Sequence, residues 1–219
     1  MKLISEAVTM SAKRDILPDD TASFLGTTIE VVRAIQQRDL LNKWLSLYTP
    51  LQHAPPFEEF HLECNEEDCA SAVLYTVKSE NGRQRIMIDS GGTRLAKAYG
   101  ATGIGRELSE YLGPKLIPAI MPLYEECIRR GLPVYTVSRL QDCNNRKVDL
   151  ERLLLPFSDG KRITRIFASF ETISPEGHFE IDRLMRERIP IDVVRAVIDK
   201  KLYFTPPPRI SPRDKIEFE

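Results

Sequence analysis

Residues 71–88 read SAVLYTVKSENGRQRIMI, and this stretch decides the class of fold. Ser71 to Lys78 and Arg85 to Ile88 are rich in β-branched and aromatic residues. Between them lies Ser79-Glu80-Asn81-Gly82, and Asn-Gly is the strongest short signal for a β-hairpin. Downstream the pattern becomes helical. Thr93 to Tyr99 stops at Gly100, Arg106 to Leu112 is a second short piece, and Lys115 to Arg130 is longer. In the last, Leu116, Ile120, Leu123, Tyr124, Cys127 and Ile128 share a face, while Pro118 and Pro122 demand either a late start or a kink. Gly131 and Pro133 mark its exit. Three strands follow, Val134 to Leu140, Lys147 to Phe157 and Arg162 to Ile173, turned at Cys143-Asn144-Asn145 and at Ser158-Asp159-Gly160. Two strands, short helices, then a three-stranded meander predict an α+β fold with an antiparallel sheet.

Outward from this unit, residues 1–27 are expected to be an arm broken by Pro18. Residues 28–49 are expected to form an amphipathic helix capped near Thr28 and ended by Thr49-Pro50. Its apolar positions Val31, Ala34, Ile35, Leu41, Leu45 and Tyr48 form a stripe that can dock on the sheet or pair with a second copy. Residues 175–219 are expected to hold a helix at Ile191 to Lys200 and an extended Pro206-Pro207-Pro208 tail. The division is then arm 1–27, helix 28–49, central domain 50–174 and C-terminal extension 175–219.

The chain has 219 residues, and 31 Lys+Arg against 32 Asp+Glu leave a formal net charge of -1. That balance argues against a nucleic-acid partner. No apolar run approaches a bilayer span and no signal peptide is evident, so a cytoplasmic location is expected. The four cysteines are expected to be thiols unless a metal claims them. His61, Cys64 and Cys69, with His53 upstream, are the only group with metal-like spacing, but the spacing is loose and no zinc ribbon or knuckle emerges. No metal is therefore assigned.

Catalysis finds little support. Asp89, Asp149 and Glu151 lie near strand ends, with Asp149 and Glu151 expected on a solvated face, and the three histidines, at 53, 61 and 178, fall outside the expected core. No G-x-S-x-G elbow is present. The chain is not expected to be an enzyme. Gly91-Gly92-Thr93 and the glycines at 100, 103 and 105 lack a phosphate-loop context and are read as turns between short helices.

The local sequences add a resemblance. Gly92-Thr93-Arg94-Leu95-Ala96-Lys97-Ala98-Tyr99-Gly100 with Thr102 to Leu108 resembles the short central helices of a PAS domain. Arg130-Gly131-Leu132-Pro133-Val134-Tyr135 is similar to the exit into the third PAS strand, and Glu151 to Gly160 to the fourth strand and its turn. Over about 44–174 the chain resembles a bacterial family of small stand-alone PAS-type proteins. The resemblance implies a five-stranded antiparallel sheet covered on one face by short helices, with helical extensions at both ends. It also implies a sensory or interaction role, with a small ligand between helices and sheet, and output through a signalling protein partner.

PAS-type modules often dimerise through the flanking helix, so a homodimer is expected. No Asn-Cys-Arg-Phe run and no histidine in the central helices are present, so neither flavin nor haem is expected. Pocket candidates are Met87, Tyr99, Tyr124, Cys127, Tyr135, Arg152 and Ser169, each of which is alternatively core. The competing functions are a ligand-free interaction or dimerisation module, and a small hydrolase or zinc-binding protein.

Overall fold

The computed structural model describes residues 23–49, 54–61, 66–80, 82–186 and 188–199. Its strands are β1 (Leu25–Thr27), β2 (Ala72–Glu80), β3 (Arg83–Gly91), β4 (Val134–Gln141), β5 (Lys147–Ser158), β6 (Ile163–Ile173) and β7 (Ile191–Ile198). Its α-helices are α1 (Ile35–Leu47), α2 (Glu66–Ala70), α3 (Thr93–Tyr99) and α4 (Leu108–Arg130).

The β2–β3 hairpin forms as the Asn-Gly signal requires, with Glu80 opposite Arg83 and Gly82 at a φ of 77°. The β4–β5–β6 meander follows. These five strands are antiparallel neighbours in the order β4-β5-β6-β2-β3. The expectation of a five-stranded antiparallel PAS sheet is nevertheless overturned. The sheet has seven strands in the order β1-β7-β4-β5-β6-β2-β3 and is mixed, because β1 pairs with β7 in parallel.

Both added strands replace other expectations. Ile191–Ile198 is a strand, not a helix. Its Ile191, Val193, Val194, Val197 and Ile198 are β-branched, stiff at χ1 and suited to a pleated surface, and they meet the otherwise open edge of β4. Leu25–Thr27, expected within the arm, then adds to β7 with Leu25 opposite Ala196. So short an edge strand offers little template for further pairing. Residues 1–22 of the arm and the proline tail lie outside the described residues.

The flanking helix starts later than Thr28. A 3-10 turn spans Ile29–Val31, Thr28 makes no side-chain cap, and α1 begins at Ile35. In place of a local cap, the Ala34 N–H donates to Glu151 Oε2 at 3.2 Å, which puts a carboxylate at the positive end of the helix. The two expected helical pieces at 106–112 and 115–130 run together as α4, broken at Gly113, whose φ of 70° and ψ of 169° are not helical. Pro114 restarts the helix where a missing N–H costs nothing. Gly131 closes it in the left-handed region, its N–H bonded to the Cys127 carbonyl.

Helices cover both faces of the sheet, not one. α3 and α4 pack on one face. On the other lie α1 and the Phe57–Phe60 turn, whose Phe60 ring sits 5.0 Å from Phe157 and 6.1 Å from Phe167. Trp44 is fully buried, stacks on Tyr48 at 5.1 Å and donates its indole N–H to the Pro156 carbonyl at 2.7 Å. No helix among the described residues is long and apolar enough to cross a membrane.

Candidate functional site

Residues directly opposed across antiparallel strands share a face. Thr136, Arg152 and Phe170 form one such row across β4, β5 and β6, and Val134, Leu154 and Ala168 another on the same face. The alternating rows are Tyr135–Leu153–Ser169 and Val137–Glu151–Glu171, on the opposite face. The pocket candidates are therefore divided by the sheet. Tyr99, Tyr124, Cys127 and Arg152 meet under α3 and α4, whereas Tyr135 and Ser169 meet under α1. Met87 joins neither group. It lies between buried Ile86 and Ile88, points to the other side of β3, and forms an isolated bridge with Glu107.

On the α3–α4 face, Arg152 is 1% exposed, and its Nε, Nη1 and Nη2 complete no well-aligned hydrogen bond among the described residues, the Tyr99 hydroxyl being the polar group that interacts with the guanidinium. Its guanidinium sits over the Phe170 ring, 5.5 Å from the centroid. Opposite it in register, the Oγ1 of buried Thr136 is also unpartnered. A guanidinium does not lose its proton in a protein, so this is a permanent buried charge.

The groups that feel it are phenols. Burial raises Tyr99, and Arg152 and Arg186 offset part of the shift. Burial likewise raises Tyr75, with Tyr124 adding to it and Arg152 opposing, and raises Tyr124 against the same guanidinium. All three phenols stay neutral and supply no counter-charge. The Tyr124 and Tyr75 hydroxyls share a hydrogen bond at 3.0 Å.

Beside this group is a small, partly open cavity of about 30 Å³, walled by Tyr75, Tyr99, Tyr111, Leu95, Leu108 and Phe170 among others, but by neither Arg152 nor Thr136. Tyr75, Tyr99 and Phe170 are thus walls of the cavity and neighbours of Arg152 at once. A segment after β6 straps α3 down: the Arg183 N–H donates to the Lys97 carbonyl at 3.0 Å and the Met185 N–H to the Ala98 carbonyl at 2.9 Å. Cys127 is packing. It is fully buried, its Sγ lies 3.9 Å from the Leu154 carbonyl, and burial pushes its thiol well up.

On the α1 face, Glu151 is fully buried, which corrects the expectation of a solvated carboxylate. Its Oε2 accepts Tyr135 O–H at 2.8 Å as well as the Ala34 N–H, and its Oε1 is unpartnered. The Arg33 N–H donates to the Tyr135 hydroxyl at 3.3 Å. Gln37, also fully buried, donates to the Ser169 carbonyl at 3.0 Å. Consecutive residues of β5 thus serve opposite sides: Glu151 holds α1, and Arg152 stands in the α3–α4 layer.

The proposed dimer stripe is largely consumed within the chain. Leu41 and Tyr48 are buried, Val31, Ala34 and Leu45 are half-buried, and Ile35 alone is exposed. Of the metal candidates, His61 is exposed with a φ of 36°, and its carbonyl takes a hydrogen bond from Lys43 Nζ. Cys69, expected as a thiol, is disulfide-bonded, and Cys127 and Cys143 are free. His53 and Cys64 lie outside the described residues. Among the described residues no group of three His, Cys, Asp or Glu side chains could hold a metal. Asp149 is paired with Arg33 and Arg139, not with a second acid.

Thr136, Tyr75, Tyr111 and Gln37 were not singled out from the sequence. Arg152 and Glu151 were noticed as residue types, but strand register alone places them back to back. No known protein family, curated protein or solved structure matches the chain.

Proposed function

We propose that this chain is a cytoplasmic sensory or regulatory protein, which takes a small ligand between α3–α4 and the sheet. It passes the bound state to a protein partner through α1 and acts without catalysis of its own. The observation that carries the reading is the adjacency of Glu151 and Arg152. One anchors the first turn of α1; the other lies buried against Tyr99 and Phe170, two walls of the cavity under α3. A ligand that shifts β5 by a fraction of an ångström acts on the cap of α1 with no intervening side chain. The shift in α1 docking is bounded by the ligand's preference between the two packings.

Self-association belongs to the same reading but has to use surfaces other than the Leu41–Tyr48 stripe. A second reading, a ligand-free interaction module, is favoured by the exposed Leu25, Ile189, Ile191 and Val193 around the β1–β7 edge. Native mass spectrometry of purified protein, followed by hydrogen exchange of α1 with and without the ligand found, separates the two. The sensory reading expects a bound small molecule whose removal changes exchange in 34–47. A protein with no ligand, or with a ligand that leaves α1 unchanged, refutes it.

A further inference from the structure

We infer that the open cleft between α3 and the segment after β6 binds the phosphate monoester of a small molecule with an apolar or aromatic body. The site lies on the outer side of α3, away from the cavity of the sensory reading, and does not depend on that reading. α3 has two faces. Leu95, Ala98 and Tyr99 are buried beneath it, whereas Thr93, Arg94 and Lys97, at three- and four-residue spacing, share the outer face. The segment after β6 lies alongside, held by the Arg183 and Met185 N–H bonds to the Lys97 and Ala98 carbonyls. The cleft between the two has a volume of about 410 Å³ and is walled by Thr93, Arg94, Lys97, His178, Phe179 and Ile181.

The walls carry two fixed cations and a histidine, and no carboxylate; Glu176, Glu180 and Asp182 of the same segment stand outside them. Arg94 Nη2 donates to Thr172 Oγ1 at 2.8 Å, which ties the guanidinium to the end of β6. Among the described residues no hydrogen bond or ion pair engages the Lys97 ammonium or the His178 ring, and both residues are exposed. The chain as a whole is close to neutral, with a net charge of -1, so the clustering is local. A concave wall of one sign focuses its field and concentrates anions there. Two full charges, with a histidine that a bound dianion holds protonated, favour a phosphoryl group over a single carboxylate. Arg94 supplies planar donors that match phosphate oxygens, Lys97 a point charge and Thr93 a hydroxyl. α3 is only seven residues long, and the site rests on these side chains, not on the helix dipole. Phe179 and Ile181, both half-buried, give the same cleft an apolar wall for an organic group beside the phosphate. The volume falls within the range of ordinary small-molecule sites, roughly 300–1,000 Å³.

The experiment is a calorimetric titration of the full chain with phenyl phosphate, inorganic phosphate and phenol at constant ionic strength. Phenyl phosphate is expected to bind saturably, about tenfold more tightly than inorganic phosphate because its ring meets Phe179 and Ile181, while phenol does not bind. Lys97→Met and His178→Gln, both at exposed positions that leave the fold in place, are each expected to weaken phenyl phosphate by about five- to tenfold. Phe179→Ala is expected to bring phenyl phosphate down to the affinity of inorganic phosphate and to leave inorganic phosphate unchanged. No saturable binding of phenyl phosphate overturns the inference. Binding undiminished in both Lys97→Met and His178→Gln also overturns it, because the ligand then sits elsewhere, as in the cavity under α3. Equal affinity for phenyl phosphate and inorganic phosphate in the parent marks an adventitious ion only, and overturns it too.

Discussion

Replacing Glu151 by alanine removes the acceptor shared by the Tyr135 hydroxyl at 2.8 Å and the Ala34 N–H at 3.2 Å. Both donors lie at the docking site of α1, and the Tyr135 side chain is fully buried, so water does not replace the lost oxygen. A hydrogen bond to a charged acceptor contributes about 1.5–3 kcal/mol, and a stranded buried donor adds its own desolvation cost. With the Ala34 bond the longer of the two, the expected loss is about 3–5 kcal/mol. Glu151→Gln keeps the shape and one carbonyl oxygen, and should cost about 1–2 kcal/mol. Urea unfolding with an m-value near 2 kcal/mol/M would move the midpoint by about 1.5–2.5 M for the alanine variant. Hydrogen exchange should locate the weakness in 34–47, because the cap is lost there first. An alanine variant within about 0.5 kcal/mol of the parent, with α1 exchange unchanged, would refute the claim that this carboxylate holds the helix.

Three further outcomes are expected. Burial pushes the Asp142 carboxyl up, but the N–H groups of Glu180, Arg146 and Asn144 and the Arg146 guanidinium outweigh it and hold the group well below the usual carboxylate range. A depressed carboxyl contributes stability above its unfolded value near 3.9 and loses it as pH falls below that value. The Glu180 amide should therefore keep its protection above about pH 5 and lose it in stronger acid, and protection that rises in acid would contradict this. At Gly92 an added Cβ would meet the Ala70 carbonyl oxygen at 2.1 Å, a backbone atom, so Gly92→Ala should cost about 3 kcal/mol or more in a thermal melt. A melt within 1 °C of the parent would show that the α2–β2 junction gives way freely. Iodoacetamide on native protein should alkylate the exposed Cys143 and spare Cys127 until the chain unfolds, as peptide mass spectrometry would record.

Local chemistry wrote much of this molecule in plain view. Asn81-Gly82 announces the β2–β3 hairpin, Gly100 and Gly131 close their helices, and the meander from Val134 to Ile173 follows from β-branched runs between turn residues. Such features depend on neighbours within a few residues, and the chain carries them wherever it goes. Tertiary structure decided the rest. Ile191 to Ile198 has apolar spacing compatible with a helix, and becomes a strand because β4 presents an unpaired edge to it. Val31 and Ala34 sit in a good helical pattern, yet α1 waits until Ile35, where Glu151, more than a hundred residues away in sequence, caps it. The pocket candidates are the sharpest case. Tyr135 has the chemistry of Tyr99, yet Tyr135 and Ser169 lie across the sheet from Tyr99 and Arg152, because a shift of one residue along a strand exchanges the two faces. Which tyrosine shares a space with which arginine is a question of register between strands, and register is set only when the whole sheet has formed.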